Sequence, residues 1–167
     1  MKEKPTIENL IRLDRENKLQ KFPSFIGREH CLPDYKPRPN STNGLTRCIV
    51  DYINLSGHVA SRISSTGQAR VTGKKQVDFY SGATKGNITF TPGTQRKGMA
   101  DIRAILKSEK HEYGIPVEIE VKFSKSDRQR KEQKSWQQDI EKVKGVYVII
   151  RTWEDFANWF EKFTEEL

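Results

Sequence analysis

The amino-acid sequence predicts an α/β domain: a mixed β-sheet flanked by helices, with an N-terminal arm and a projecting β-hairpin. Three observations carry that prediction. Leu45, Cys48, Ile49, Tyr52 and Ile53 recur at helical spacing and form one apolar stripe. ADIRAIL (100–106) and IPVEIEV (115–121) have strand length and strand character on either side of a turn-like KSEKHEYG. VYVII (146–150) has the unbroken apolar character of a central strand and lies between two helical stretches. The resulting order is helix, strand, hairpin, two strands, helix, strand, helix, which is that of an α/β domain with a mixed sheet.

Taken in order, residues 5–20 (PTIENLIRLDRENKLQ) read as a short polar helix with Ile7, Leu10, Ile11 and Leu13 on one side. The following FPSFIGREHCLPDYKPRPNSTNG contains four prolines, which forbid regular structure. Residues 1–40 are therefore expected to be an arm lying on the domain, residues 41–167, or on a partner. Ser41, Thr42 or Asn43 caps the striped helix and Gly57 ends it. HVASRI (58–63) reads as a strand. Residues 64–98 are rich in Gly, Thr, Ser and basic side chains, with two β-like runs, QVDFY and NITFT, around SGATKG, so this insertion is the hairpin. SDRQRKEQKSWQQDIEKVK (126–144) reads as a helix stopped by Gly145. WEDFANWFEKF is an amphipathic helix whose Trp153, Phe156, Trp159, Phe160 and Phe163 pack on the sheet.

A length of 167 residues, 34% of them hydrophobic, suffices for one domain with a buried core. The 30 Lys+Arg against 22 Asp+Glu give a net charge of +8, and a polyanion is the natural partner of such a chain. Cys31 and Cys48 are too few for a disulfide framework, and His30 beside Cys31 lacks the second ligand pair of a zinc site. No stretch reaches the length of a membrane span, and MKEKPTIENL lacks the apolar core of a signal peptide, so the expectation is a cytoplasmic protein without a membrane partner.

The stretch that carries chemistry is VEIEVK (117–122). Val117, Ile119 and Val121 ask for burial on one face of a strand, while Glu118, Glu120 and Lys122 stand on the other. That charged face is either solvated, as a salt-bridged surface ladder, or a site. Residues two apart on a strand lie about 7 Å apart on one face, so the heads of Glu120 and Lys122 can converge. If Ala100, Ile102 and Ala104 share the core of Val117, Ile119 and Val121, then Asp101 joins Glu120 on the other side. Buried charges need pairing or a metal. Mg²⁺ takes oxygen ligands, commonly one or two carboxylates together with waters and a phosphate. Asp101 and Glu120 offer the carboxylates, the Val121 carbonyl a third oxygen, and Lys122 a group to hold or deprotonate water.

Asp101 followed by Glu120-Val121-Lys122 resembles the PD-(D/E)xK nuclease signature. GMADI, IEVK, EQKSW and GVYVIIRTWEDF, in that order, are similar to the VRR-NUC branch of that superfamily, particularly its small phage-encoded members. The resemblance covers residues 42–160. It implies a restriction-endonuclease-like core and Mg²⁺-dependent cleavage of DNA phosphodiesters, with Mn²⁺ as a substitute and no organic cofactor. It implies Asp101 and Glu120 as metal ligands, Lys122 as the catalytic lysine and Gln133 as a residue organising metal, water or phosphate. A phage-encoded protein of this kind works in the host cytoplasm on DNA in replication, recombination or repair. One departure stands out: many members carry a metal-binding Glu on the first core helix, where this sequence has Thr42 or Asn43. Asp51 is the nearest acid, and helical geometry turns it away. Glu118 is a spare acid for a second ion or a salt bridge.

Basic residues flank the proposed site in sequence: Arg62, Lys74, Lys75, Lys85, Arg96 and Lys97 before Asp101, and Lys125, Arg128, Arg130, Lys131 and Lys134 after Lys122. They are candidates for phosphate contacts that position DNA without reading bases. Three functional readings stay open: a metal-dependent DNA nuclease, a catalytically inactive DNA-binding module on the same fold, and an RNA-directed nuclease. Spacing does not choose among nicking, flap cutting, resolution of branched or junction DNA, and exonucleolytic action. A homodimer would fit junctions or duplexes, and nothing in the chain proves one.

Overall fold

The structure is a computed structural model that describes residues 4–63, 68–77, 84–91, 95–124 and 126–167. Among them are four α-helices: α1 (Ile7–Lys21), α2 (Thr42–Leu55), α3 (Lys131–Lys142) and α4 (Trp153–Glu166). The strands are β1 (Val59–Arg62), β2 (Gln68–Val77), β3 (Thr84–Thr91), β4 (Ile102–Leu106), β5 (Ile115–Val121) and β6 (Val146–Ile150). Four of them make a mixed open sheet in the order β1-β4-β5-β6, and β2 with β3 form a separate two-stranded ribbon. β1 and β5 run antiparallel to β4, and β6 runs parallel to β5. The chain is thus α/β with a mixed sheet flanked by helices. No helix of the described residues is long and apolar enough to cross a membrane.

The core follows from the sequence periods. Every member of the α2 stripe, Leu45, Cys48, Ile49, Tyr52 and Ile53, is buried, and the Ser41 hydroxyl caps the helix by accepting from the Gly44 N–H at 3.2 Å. These side chains meet Ile102, Ala104 and Leu106 of β4 and Val117, Ile119 and Val121 of β5, whose alternate residues share one face of the sheet. From α4, Trp153, Phe156 and Phe160 complete the core, with Trp159 and Phe163 partly buried against it. Tyr52 sits edge-on to Trp153, Phe156 and Phe160 at 5.8, 5.9 and 5.6 Å, the geometry that aromatic quadrupoles favour. The N-terminal arm lies on the domain: Leu10 of α1 is fully buried, Ile7 and Leu13 pack against the core, and Ile11 is the outward residue of the four.

Several expectations are corrected. The proline-rich segment is not wholly irregular, since Pro23–Phe25 and Glu29–Cys31 each form one 3₁₀ turn. α3 begins at Lys131 instead of residue 126: ahead of it the Asp127 N–H donates to the Ser124 carbonyl at 3.0 Å, and the Arg151 guanidinium takes the carbonyls of Lys122, Ser124 and Asp127, the last of which a helix begun at 126 would use for its own ladder. Lys144, at φ 63°, takes the left-handed conformation that ends this helix, one residue before Gly145. β6 is an edge strand, not a central one: α3 and α4 cover its faces, and two covered faces give an edge strand the same apolar composition as a central one. The first ribbon strand starts at Gln68, eight residues before the expected Gln76; the DFY part of QVDFY lies outside the described residues.

Candidate functional site

The charged face of β5 is buried. Glu118 retains 5% of its exposure, Glu120 1% and Lys122 6%, so these residues are not a solvated surface ladder. Topology explains the burial. The chain leaves β5, crosses as α3 and returns as β6 parallel to β5, and the crossover helix lies over the face that carries the two glutamates.

Within that cover the Lys122 ammonium donates to Glu120 Oε1 at 2.9 Å and to Gln133 Oε1 at 3.1 Å, with Asp127 Oδ1 at 3.6 Å. The Gln133 amide nitrogen donates to the same Glu120 oxygen, and the Tyr147 hydroxyl reaches Glu120 Oε2 at 3.4 Å. Gln133 is itself positioned by its place in the first turn of α3, where its side-chain Oε1 accepts the Arg130 backbone N–H at 2.9 Å. Burial pushes the Glu120 carboxyl up from its usual range; the Lys122 hydrogen bond opposes that rise and the Asp101 charge adds to it. Burial also pushes the Tyr147 phenol up, with the Glu120 charge beside it.

Asp101 stands in the turn before β4, on the side expected from the burial of Ala100, Ile102 and Ala104. Its Oδ2 accepts the Val121 N–H at 2.9 Å, tying this turn to the end of β5. Its other oxygen has no hydrogen-bond partner among the described residues. The turn is held by Gly98, which has φ +86° and sits so close to α3 that an added Cβ would lie 2.3 Å from the Glu132 carbonyl oxygen. Glycine is required there twice, for the left-handed backbone and for the close approach to the helix.

Asp101, Glu120, Val121, Lys122 and Gln133 all line one open cleft of about 640 Å³. The structure therefore brings together the acids, the lysine and the glutamine that the sequence singled out. Thr42, at the start of α2, lines the same cleft where an acid was missing from the expected pattern, while Asn43 turns to the Arg62 guanidinium at 2.7 Å. Asp51 points elsewhere, its Oδ2 accepting the Tyr35 hydroxyl at 2.6 Å. Glu118 forms an ion pair with Arg103 on β4 at 2.7 Å, its direct cross-strand partner.

The donor set fits a hard divalent cation. Four acidic residues line the cleft, Asp101, Glu120, Asp127 and Glu132; Asp101 has one oxygen without a hydrogen-bond partner among the described residues, and Val121 brings its backbone to the same wall. Burial is the main cause that raises Glu120, and such an ion would offset both that cost of burying its charge and the smaller rise from the Asp101 charge. Among the described residues no group of three or more His, Cys, Asp and Glu side chains is spaced to enclose a metal, so the remaining positions would fall to water and substrate oxygens.

The basic candidates separate by environment. Lys97 and Arg130 line the cleft, and Arg128, Lys131 and Lys134 are exposed beside it in sequence. Arg96 is committed to α3, with its guanidinium 2.6 Å from Asp139 and 5.0 Å from the Trp136 ring centre. Lys74, Lys75 and Lys85 belong to the ribbon strands, and nothing is described of their side chains; Lys125 lies outside the described residues. Three residues of the site escaped sequence reasoning: Asp127, Tyr147 and Arg151. A carboxylate five residues beyond Lys122 was a weak signal for the first. Tyr147 and Arg151 arrive only through the parallel pairing of β6 with β5, which no local pattern announces. No family model, no curated protein and no solved structure matches the chain.

Proposed function

We propose that this chain is a metal-dependent nuclease that hydrolyses DNA phosphodiester bonds, built on a restriction-endonuclease-like core. One observation carries the reading: a lysine and a glutamate, buried together, open onto the same cleft as a second carboxylate and a glutamine. A buried ion pair is seldom the most stabilising filling for a core, since a well-packed apolar pair is often as good or better. A site that must handle a phosphodiester gives these charges a use.

Asp101 and Glu120 would hold the cation, which when bound supplies polarisation of a phosphoryl oxygen and a lowered pKa for water. Lys122, fixed by Glu120 and Gln133, aims its ammonium where it can hold the attacking water and balance charge on the phosphoryl oxygens. The water oxygen forms a bond to phosphorus and gives up a proton to solvent, the ester P–O bond breaks, and the leaving oxygen takes up a proton from solvent and ends as a hydroxyl. Gln133 keeps the carboxylate and the ammonium in register from one side chain. Lys97 and Arg130 at the cleft wall supply phosphate contacts.

A second reading, a DNA-binding module without catalysis, draws on Thr42, a hydroxyl where an acid would complete the pattern. The test is incubation of the purified chain with labelled duplex, single-stranded, flap and four-way-junction DNA and with RNA, in Mg²⁺, Mn²⁺ or EDTA. Asp101→Ala and Lys122→Ala run beside it. Metal-dependent cutting of DNA that both variants lose is the expected result, and the preferred substrate identifies the mode of action. Salt-sensitive binding with no cutting in any metal would favour the binding module, and cutting confined to RNA would replace the substrate.

A further inference from the structure

The β2–β3 ribbon is joined to no other strand among the described residues. A two-stranded ribbon alone is marginal in water, so this one calls for a partner. Its sequence indicates which. The two strands carry Arg70, Lys74, Lys75 and Lys85 and no acid at all. Between Asp51 and Asp101 the only acidic residue is Asp78.

Register sorts the ribbon into two faces. Arg70 pairs with Thr89, Gln68 with Thr91 and Thr72 with Asn87, so Gln68, Arg70, Thr72, Asn87, Thr89 and Thr91 alternate onto one face. That face is wholly polar, with hydrogen-bonding groups and a single cation. Ala69 pairs with Phe90 and Val71 with Ile88 on the opposite, apolar face. Beyond Thr72 the register shifts: Thr72 opposes Asn87 and Gln76 opposes Lys85, leaving Gly73, Lys74 and Lys75 opposite the single Gly86. A bulge bends a ribbon and re-aims its side chains, and glycine in a strand marks a place where another backbone comes close. Here glycines on both strands lie beside Lys74, Lys75 and Lys85.

We propose that the ribbon is a DNA arm that docks in the major groove of a duplex. Its polar face meets the base edges, and the bulge with Lys74, Lys75 and Lys85 sits on the phosphate backbone. The dimensions agree: a major groove admits a two-stranded ribbon, and ten residues of strand span about 33 Å, roughly one helical turn. The polar face holds the residue types that pair with base edges there, Arg with guanine, Asn and Gln with adenine, and Thr with the thymine methyl. The inference rests on the nuclease reading for its choice of DNA. It adds a second contact, separate from the cleft, and a substrate class, duplex flanking the scissile bond.

The test uses the full chain and a 30-base-pair duplex in EDTA, so that binding is read without cleavage. Lys74→Gln, Lys75→Gln and Lys85→Gln are combined, and the corresponding three Lys→Arg changes serve as the rescue. Losing three phosphate contacts should lower the slope of log affinity against log salt by about 2.7 and weaken binding in 0.1 M salt by on the order of a few hundred-fold. The arginine variant should restore both. Wild-type protein should also protect guanine N7 from dimethyl sulfate, and Arg70→Ala with Asn87→Ala should remove that protection. An unchanged slope, an equal loss of affinity for single-stranded DNA, or equal affinity for duplex RNA, whose major groove is too narrow to enter, would overturn the arm. Absence of cutting by wild-type protein in every metal, with the slope and protection results intact, would instead overturn the nuclease reading alone.

Discussion

Glu118 and Glu120 stand two residues apart on the same face of β5, equally charged and both buried, yet they occupy different chemistry. Glu118 meets Arg103 across the β4 ladder, about half of that arginine side chain is in solvent, and the Glu118 Oε2 is buried without a hydrogen-bond partner among the described residues. Glu120 lies one rung closer to the end of the strand, under α3, where Lys122, Gln133 and Tyr147 converge on it and a cleft opens. Alternation places both carboxylates; what crosses over them decides whether a carboxylate is a sheet's ion pair or a candidate ligand. The difference lies in neighbours contributed by distant sequence.

The largest effect that would sharpen this contrast is the loss of Lys122. Lys122→Ala should lower kcat by about 10³-fold, the scale of removing a donor that stabilises transition-state charge. It should also destabilise the fold by about 3 kcal/mol, because Glu120 is left buried beside no cation. Single-turnover cleavage and urea unfolding measure the two separately. Gly98→Ala comes next, with an expected cost of about 3 kcal/mol from left-handed strain and from the collision with the Glu132 carbonyl. Its mark should be loss of metal affinity at Asp101, read by calorimetric titration with Mn²⁺, before global unfolding is reached.

A smaller effect concerns pH. Folded Glu120 holds its proton more tightly than unfolded Glu120, so the folded state binds more protons above the ordinary glutamate range, and stability falls as pH rises through that range. Glu120→Gln in EDTA should remove that part of the slope, whereas Glu118→Gln should leave it; urea midpoints from pH 4 to pH 8 compare them. The smallest effect belongs to the Glu118 rung. Arg103→Ala should cost about 1 kcal/mol, given its half-exposed side chain, and change kcat by less than about threefold.

Much of this contrast is legible in the sequence. The 45–53 stripe, the β4–β5 hairpin and the position of Asp101 opposite Glu120 are local patterns, and local periods report which face is buried. Gln133 is legible in part, as a glutamine in the first turn of the helix that follows the charged strand; its contacts with Glu120 and Lys122 come from the way that helix crosses over. The edge position of β6 is not legible, because flanking helices make edge and central strands look alike. Tyr147 and Arg151 are hidden for a related reason: the parallel crossover that delivers them to Glu120 and to the Lys122 loop has no signature at either residue. Thr42 at the cleft follows from the helix start, since the first residue of α2 stands at the end of the helix that borders the site.

The most direct test of the central claim compares the two rungs under one set of conditions. Cleavage of labelled DNA would be followed in Mg²⁺, in Mn²⁺ and in EDTA for wild type, Asp101→Ala, Lys122→Ala and Glu118→Gln. Metal-dependent cutting by wild type and Glu118→Gln, with cutting by Asp101→Ala and Lys122→Ala slowed by about 10³-fold, is the predicted result. Equal rates in all four proteins, or cutting that survives EDTA, would contradict the assignment of chemistry to the Asp101–Glu120–Lys122 cluster.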